Sequence, residues 1–258
     1  MDAIALVDGT GRWWNTDYDN DMARSFCSQI YKLFRGKKQW KRGPSDEGYY
    51  FNDKAVDAAR YLIRAKAEGA DRLFLAGYSR GAAIVLEAAG RLALQGLQVD
   101  GLFLFDPVVR LPTRGAVDSK AIPANVRFSR TASRVLDPAI VNKYEGALAQ
   151  KPYNLLSLAT KQEAMVLERI PIVNKVPWRG NPIRPEFGTF LVSPCGMGDH
   201  QTRKFTGSHG ALGGVGWKNV AEDDDCQHKV AHWMNAAFHS LSLDVRIVAP
   251  PLTSTFES

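Results

Sequence analysis

The chain has 258 residues, a formal net charge of +6 and a hydrophobic fraction of 45%. These values are typical of a globular α/β protein with a sizeable core. The three cysteines, Cys27, Cys195 and Cys226, are too few and too far apart to favour a disulfide framework or a zinc site, so we predict no metal and a reducing compartment.

The N-terminal residues predict a buried strand followed by a tight loop. Ile4 to Val7 is apolar, and Asp8-Gly9-Thr10-Gly11 follows at once. The early acidic Asp2 and the short apolar stretch do not fit a secretory signal, and no run approaches the ~20 apolar residues that cross a bilayer. We therefore expect a cytoplasmic protein, or one exported without a cleavable signal peptide.

A basic segment follows the first predicted helix, which covers about residues 20–34. The stretch 36–50 is polar and contains glycine, so it predicts a loop, and Arg35 to Arg42 is its most basic part. Such a patch is either a solvated surface or a contact with an anionic membrane. We expect no nucleic-acid partner, because no recognisable nucleic-acid-binding module accompanies the patch.

The middle of the chain alternates between helices and apolar strands. A helix is predicted from a cap at Asn52 to a stop at Gly69. Strands are predicted at residues 73–76, 101–105 and about 126–130, with a helix at 82–94 after the first of them. This alternation predicts an α/β-hydrolase-like fold, with a mostly parallel sheet and helices on both faces.

The C-terminal half is less regular. Within a single domain of residues 1–258, we expect a small lid or insertion at about residues 139–186. The expected elements after it are a strand at 187–192, a glycine-rich loop at 195–216, a helix at 222–241 and an edge strand at 244–248. The acidic run Glu222 to Asp225 complements the positive end of that helix rather than forming a metal site.

The chain is organised around residues 73–83, which read LFLAGYSRGAA. An apolar strand, the motif G-x-S-x-G and an Ala-rich helix in succession are typical of a nucleophile elbow. In such a turn the flanking Gly77 and Gly81 leave room for a sharp bend, and Ser79 at its tip projects its hydroxyl above the sheet. Ser79 is therefore the predicted nucleophile.

Two further residues support a site at this place. Asp8, Ser79 and Asp106 each come directly after a predicted apolar strand. In a parallel sheet the carboxyl ends of the strands share one edge, where ligands bind. We expect the three residues to gather there although they are far apart in the sequence.

A serine hydroxyl needs a base, and the base needs an orienting acid. In hydrolases of this architecture both follow the nucleophile in the chain. We expect His209, which lies among glycines in Gly207-Ser208-His209-Gly210, to be the base, with His200 as the alternative. Asp106 is the expected acid, and Asp137 and Asp199 are the alternatives.

The oxyanion of a tetrahedral intermediate needs N–H donors. We expect them to be the backbone N–H of Arg80, which follows the nucleophile, and the loop Gly9-Thr10, with the Thr10 hydroxyl as a helper. The Arg80 side chain is expected to form a structural ion pair with Asp8 or Asp106.

Four short blocks together resemble a known family. They are Asp8-Gly9-Thr10, the elbow at 77–82, Leu104-Phe105-Asp106, and the His209 loop with Gly213-Gly214. Their order is similar to that in the α/β-hydrolase family that includes bacterial type VI secretion lipase effectors. The resemblance implies that Ser79, Asp106 and His209 form a triad for lipid or other carboxylic-ester hydrolysis. For a secreted effector it also implies a cognate inhibitor protein.

We therefore predict a serine ester hydrolase that acts on lipid-like esters through an acyl-enzyme and needs no cofactor. The same triad serves a peptidase, amidase or thioesterase, and a non-catalytic binding protein with a hydrolase-like fold is the alternative from another class.

Overall fold

In the computed structural model, the residues described are 1–10, 22–44, 51–108, 121–135, 193–194, 197–207, 209–215 and 221–251. They form eight strands and five helices. The strands are β1 (Ala3–Val7), β2 (Lys37–Lys41), β3 (Leu73–Tyr78), β4 (Gly101–Phe105), β5 (Ala121–Ile122), β6 (Phe128–Arg134), β7 (Ser193–Pro194) and β8 (Asp199–Phe205). The helices are α1 (Phe26–Leu33), α2 (Phe51–Ala67), α3 (Arg80–Ala93), α4 (His209–Gly213) and α5 (Ala221–Ser240).

Six of these strands form one sheet in the order β2-β1-β3-β4-β6-β8. Every described pairing in it is parallel, including β1 with β3 and β3 with β4. Strands β5 and β7 make a separate parallel pair. The predicted α/β class with a mostly parallel sheet is confirmed.

The core lies in two layers, one on each face of the sheet. Alternate residues of β1 divide between them, with Ala5 in the layer that α2 and α3 cover and Leu6 in the layer that α1 and α5 cover. The central strands are buried on both faces and therefore read as continuous apolar runs, such as GLFLF in β4. This continuity made them predictable.

Two strands of the six-stranded sheet were missed because their side chains are polar. The predicted loop at 36–50 contains β2, a half-buried sequence KKQWK at an edge of the sheet, where lysines discourage pairing with another chain. The predicted loop at 195–216 contains β8, whose first six residues are exposed or half-exposed. Neither strand presents the apolar pattern by which a strand is recognised.

Other boundaries also differ from prediction. Helix α2 begins at Phe51, one residue before the predicted cap Asn52. Residues 244–248 form no strand; instead the Asn235 side chain binds the backbone of Ile247 through bonds of 2.8 and 2.9 Å. The expected lid at 139–186 and the expected strand at 187–192 lie outside the described residues. Within the described ranges, no helix is long and apolar enough to cross a membrane.

Two glycines of helix α3 allow a matched test of this packing. A Cβ at Gly81 would overlap the carbonyl oxygens of Val7 and Asp8, whereas the nearest atom to a Cβ at Gly90 would be Pro123 Cγ at 4.0 Å. We expect Gly81→Ala to lower the free energy of unfolding by about 1–3 kcal/mol. Gly90→Ala should raise it by up to ~1 kcal/mol, through helix propensity alone. Urea unfolding measures both, and shifts of the same sign would contradict this account of where α3 meets β1.

Candidate active site

Three polar residues follow three adjacent strands at the carboxyl edge of the sheet. Asp8 comes after β1, Ser79 after β3 and Asp106 after β4, and these strands are neighbours in the order β1-β3-β4. Backbone bonds join the ends of β3 and β4, since the Ser79 N–H donates to Phe105 O at 2.9 Å. The sheet thus gathers residues that are far apart in the sequence.

The turn at Ser79 has the strained geometry of an elbow. Ser79 has φ 58° and ψ −127°, a region that residues with a side chain rarely adopt. Helix α3 begins at the next residue, so the positive end of its dipole lies beside the hydroxyl. A Cβ at Gly77 would lie 2.5 Å from the carbonyl oxygen of Gly81, which explains why the motif needs glycine at that position.

Ser79, His209 and Asp106 form a continuous chain of hydrogen bonds. His209 Nε2 lies 2.8 Å from Ser79 Oγ, and His209 Nδ1 lies 2.6 Å from Asp106 Oδ2. The Asp106 carboxylate can only accept a hydrogen bond, so the neutral imidazole carries its proton on Nδ1 and donates it to Asp106. Nε2 then carries no proton and accepts the hydrogen bond from the Ser79 hydroxyl. All three residues are buried.

The surroundings of this imidazole favour its neutral form. The pKa of His209 is lowered, and burial is the largest cause. Asp106 acts to raise this pKa, and the charge of Arg134 acts to lower it further. A neutral imidazole is the form that accepts a proton. The arrangement can therefore take the proton of the Ser79 hydroxyl as that oxygen attacks an electrophile.

Tyr78 positions the histidine from the elbow strand. Its hydroxyl donates to the His209 carbonyl oxygen at 3.1 Å, and its ring stacks on the imidazole with centroids 4.9 Å apart. A Cβ at Gly9 would lie 2.8 Å from this ring, and a Cβ at Gly213 would overlap it. One aromatic ring thus contacts the loop after β1 and helix α4 as well as the histidine.

Arg134, the last residue of β6, was missed by the sequence analysis. Its Nε forms a salt bridge with Asp106 Oδ2, and its backbone N–H donates to Oδ1 at 3.2 Å. Asp106 has φ 42°, so its backbone is also in the left-handed region. The strand-like sequence around residue 130 was recognised, but nothing in it indicates that its last residue reaches Asp106.

Asp8 sits at the same edge but binds neutral groups. It is fully buried and accepts bonds from Ser25 Oγ at 2.5 Å, Trp40 Nε1 at 3.1 Å and its neighbour Gly9 N at 3.1 Å. Ser25 also caps α1. Burial raises the pKa of Asp8 to about 6, although these three bonds oppose the increase.

This network bears on the expected oxyanion donors. The Gly9 N–H already donates to Asp8, which favours Thr10 as the donor from this loop. Arg80, whose N–H is the other expected donor, is buried as the first residue of α3.

The structure places two of the alternative residues at the opposite edge of the sheet. Asp199 and His200 begin β8, whereas Phe205 at its other end pairs with Arg134. Six residues of strand, roughly 20 Å, separate them from the Ser79 edge. Asp199 binds Arg130, and His200 Nδ1 lies 2.9 Å from Ser129 Oγ. The structure therefore does not bring them together with Ser79, and Asp137 lies outside the described residues.

The basic segment is a strand rather than the predicted loop. Three of its cations have acidic partners, namely Arg35 with Asp244, Lys37 with Glu68 and Lys41 with Asp57.

Within the described ranges, no group of three or more His, Cys, Asp or Glu residues lies close enough together to hold a metal.

The raised pKa of Asp8 gives a pH-dependent stability. Because that pKa exceeds the unfolded value of 3.8, the native state keeps a proton that the unfolded chain has released between about pH 4 and 6. The stability that this proton provides is complete below about pH 4 and is lost as the pH rises through about 6. We expect the free energy of unfolding of the wild type, relative to Asp8→Asn, to fall by about 3 kcal/mol from pH 4 to pH 7.

Urea unfolding of both proteins across that range measures this difference. The amide does not titrate, so any cost of the substitution itself is the same at every pH. If the difference in free energy of unfolding between the wild type and Asp8→Asn did not change with pH, the burial of a titrating carboxyl at position 8 would be contradicted.

No protein-family model matches the chain, and no curated protein matches its sequence. Among solved structures, it is similar to a candidate hydrolase of the alpha/beta superfamily from Xanthomonas campestris pv. campestris, with 17% identity over 58% of this chain and 83% of that one and a TM-score of 0.34. It is also similar to ESTFA, crystallised in an Fe-lacking apo form, with 14% identity over 82% of this chain and 68% of that one and a TM-score of 0.41. RedJ, a thioesterase from the prodiginine pathway of Streptomyces coelicolor, has 14% identity over 91% of this chain and 89% of that one and a TM-score of 0.38.

Sequence identities and TM-scores this low do not indicate the chemistry of the site. The parallel sheet, the helices on both of its faces and the strained turn at Ser79 between β3 and α3 give the chain an α/β-hydrolase-like fold.

Proposed function

We propose that this protein is a serine hydrolase that cleaves carboxylic esters through an acyl-enzyme. The observation that carries the proposal is the hydrogen-bonded chain from Ser79 Oγ through His209 to Asp106, with bonds of 2.8 and 2.6 Å. A buried serine, a histidine kept neutral and a buried carboxylate in this order are the parts that activate a hydroxyl as a nucleophile.

In the acylation step, Ser79 Oγ attacks the acyl carbonyl of the ester while His209 Nε2 accepts its proton. Asp106 holds the Nδ1 tautomer and stabilises the imidazolium that forms. The tetrahedral oxyanion binds at the start of α3, through the Arg80 N–H, and at the loop carrying Thr10. His209 then protonates the leaving alcohol, and the acyl group stays on Ser79.

In the deacylation step, water takes the place of the alcohol. His209 accepts a proton from this water as it attacks the acyl-enzyme, and returns a proton to Ser79 Oγ as the acid leaves. The cycle uses only groups of the protein and water. Every step passes through the same imidazole, so a neutral His209 is required at the start of each half-reaction.

For the substrate we propose a lipid-like ester. Its support is the resemblance of four sequence blocks to type VI secretion lipase effectors. The proposal extends to a cognate inhibitor protein and to contact of Arg35–Arg42 with an anionic membrane. Assays with p-nitrophenyl esters, phospholipids, acyl thioesters and peptides would separate the ester hydrolase from a thioesterase or a peptidase.

Three substitutions test the proposed triad with a matched control. Ser79→Ala and His209→Ala should each lower kcat/KM for a p-nitrophenyl ester by about 10⁴-fold or more. His200→Ala removes a half-buried imidazole at the opposite edge of the sheet and should leave kcat/KM within about twofold.

A fluorophosphonate probe gives a second readout, because it reacts with an activated serine whatever the true acyl group is. Wild type and His200→Ala should be labelled at Ser79, and the other two variants should not. A wild type that neither reacts with the probe nor hydrolyses esters would favour a binding protein with a hydrolase-like fold.

A further inference from the structure

Arg134 is the largest side chain in the described part of the chain that is almost fully shielded from solvent. Its side chain and that of Asp106, to which it binds, both have 0% exposure. A buried charge is costly unless it is paired, so this arginine is retained against a considerable desolvation cost. Packing alone does not explain why a charged side chain occupies this buried position.

Arg134 holds both oxygens of the carboxylate. Its side-chain Nε binds Asp106 Oδ2, the same oxygen that His209 Nδ1 contacts at 2.6 Å. Its backbone N–H donates to Oδ1 at 3.2 Å. Two attachments from one residue leave the carboxylate little freedom to rotate away from the imidazole.

The same contact places a permanent positive charge next to the pair that titrates. An isolated carboxylate in a buried site favours a protonated imidazole beside it, whereas a carboxylate already paired with a guanidinium does so much less. The charge of Arg134 acts on His209 in the direction that disfavours its protonated form.

We propose that Arg134 is a positioning residue, the buried counter-ion of Asp106, which fixes the carboxylate against His209 and places a positive charge beside the imidazole that opposes its protonation. The inference rests on the proposed function for its role in catalysis, but its electrostatic content stands on the structure of the site alone.

Other ionisable groups also surround this site. Asp106 and Arg134 are the charges that act on His209. Helix α5 contributes the buried Asp223 and the thiol of Cys226, whose pKa burial and nearby carboxylates raise to about 12, so that it stays neutral. Arg80 is buried at the start of α3. A substitution at position 134 removes one of these charges and keeps the other groups in the sequence.

Strand β6 also supplies a matched control. Arg130 lies on the same face, four residues before Arg134, and also binds an aspartate, Asp199, through bonds of 2.8 and 3.1 Å. This second pair is at the opposite edge of the sheet, and the Asp199 side chain is 54% exposed. Arg130→Gln removes a similar charge and ion pair from the same strand without touching the site.

The experiment titrates the His209 imidazole by NMR in the wild type, Arg134→Gln, Arg134→Lys and Arg130→Gln, with His209→Gln to assign the resonance. In the wild type we expect its pKa below the ordinary value of about 6.5. Arg134→Gln should raise it by about one unit or more, and Arg134→Lys, which keeps the charge, by less than half as much. Arg130→Gln should leave it unchanged. The acidic limb of kcat/KM against pH should move with these values.

Three results would overturn the inference: a wild-type pKa above about 6.5, a pKa in Arg134→Gln that equals the wild-type value, or equal shifts in Arg134→Gln and Arg134→Lys. The first needs no variant, so it can overturn the inference even if Arg134→Gln does not fold. If the imidazole titrates as expected but the wild type neither hydrolyses esters nor reacts with the fluorophosphonate, then the proposed function fails and the electrostatic role of Arg134 stands.

Discussion

The site depends on how closely three stretches of backbone approach one another around the elbow. Helix α3 can start directly beneath Ser79 only because Gly81 lies against the carbonyl oxygens of Val7 and Asp8. Gly43 in turn lies against the backbone of Gly9, which fixes the loop after β1 from its other side. Side chains at these places would push β1, β3 and α3 apart and would separate the hydroxyl from its surroundings.

This dependence explains which features were predictable from the sequence. The glycines, the serine and the apolar strand occur within a few residues of one another, so the pattern that produces the elbow is local. Asp106 and His209 were harder to assign, but each follows an element with a recognisable pattern or a cluster of glycines. Strand β8, which places Asp199 and His200 at the opposite end of the sheet, was not recognisable because its side chains are polar.

Arg134 and the network around Asp8 were beyond such reasoning, because both depend on long-range pairing. The partners of Asp8 come from the cap of α1 and from an edge strand mistaken for a loop. Asp8 and Asp106 look alike in the sequence, each following an apolar strand. Their environments differ, because the carboxyl of Asp8 meets neutral donors and that of Asp106 meets the guanidinium of Arg134, and burial raises the pKa of Asp8.

The ring of Tyr78 contacts the loop after β1 and helix α4, including its first residue, His209. These parts of the site are consequently one mechanical unit. Replacing the loop after β1 or helix α4 by the same segment of a relative would fail if the new segment carried a larger residue at position 9 or 213 while Tyr78 was retained. In a set of related sequences, positions 9, 78 and 213 should vary together, with a smaller side chain at 78 wherever a glycine at the other two has been lost.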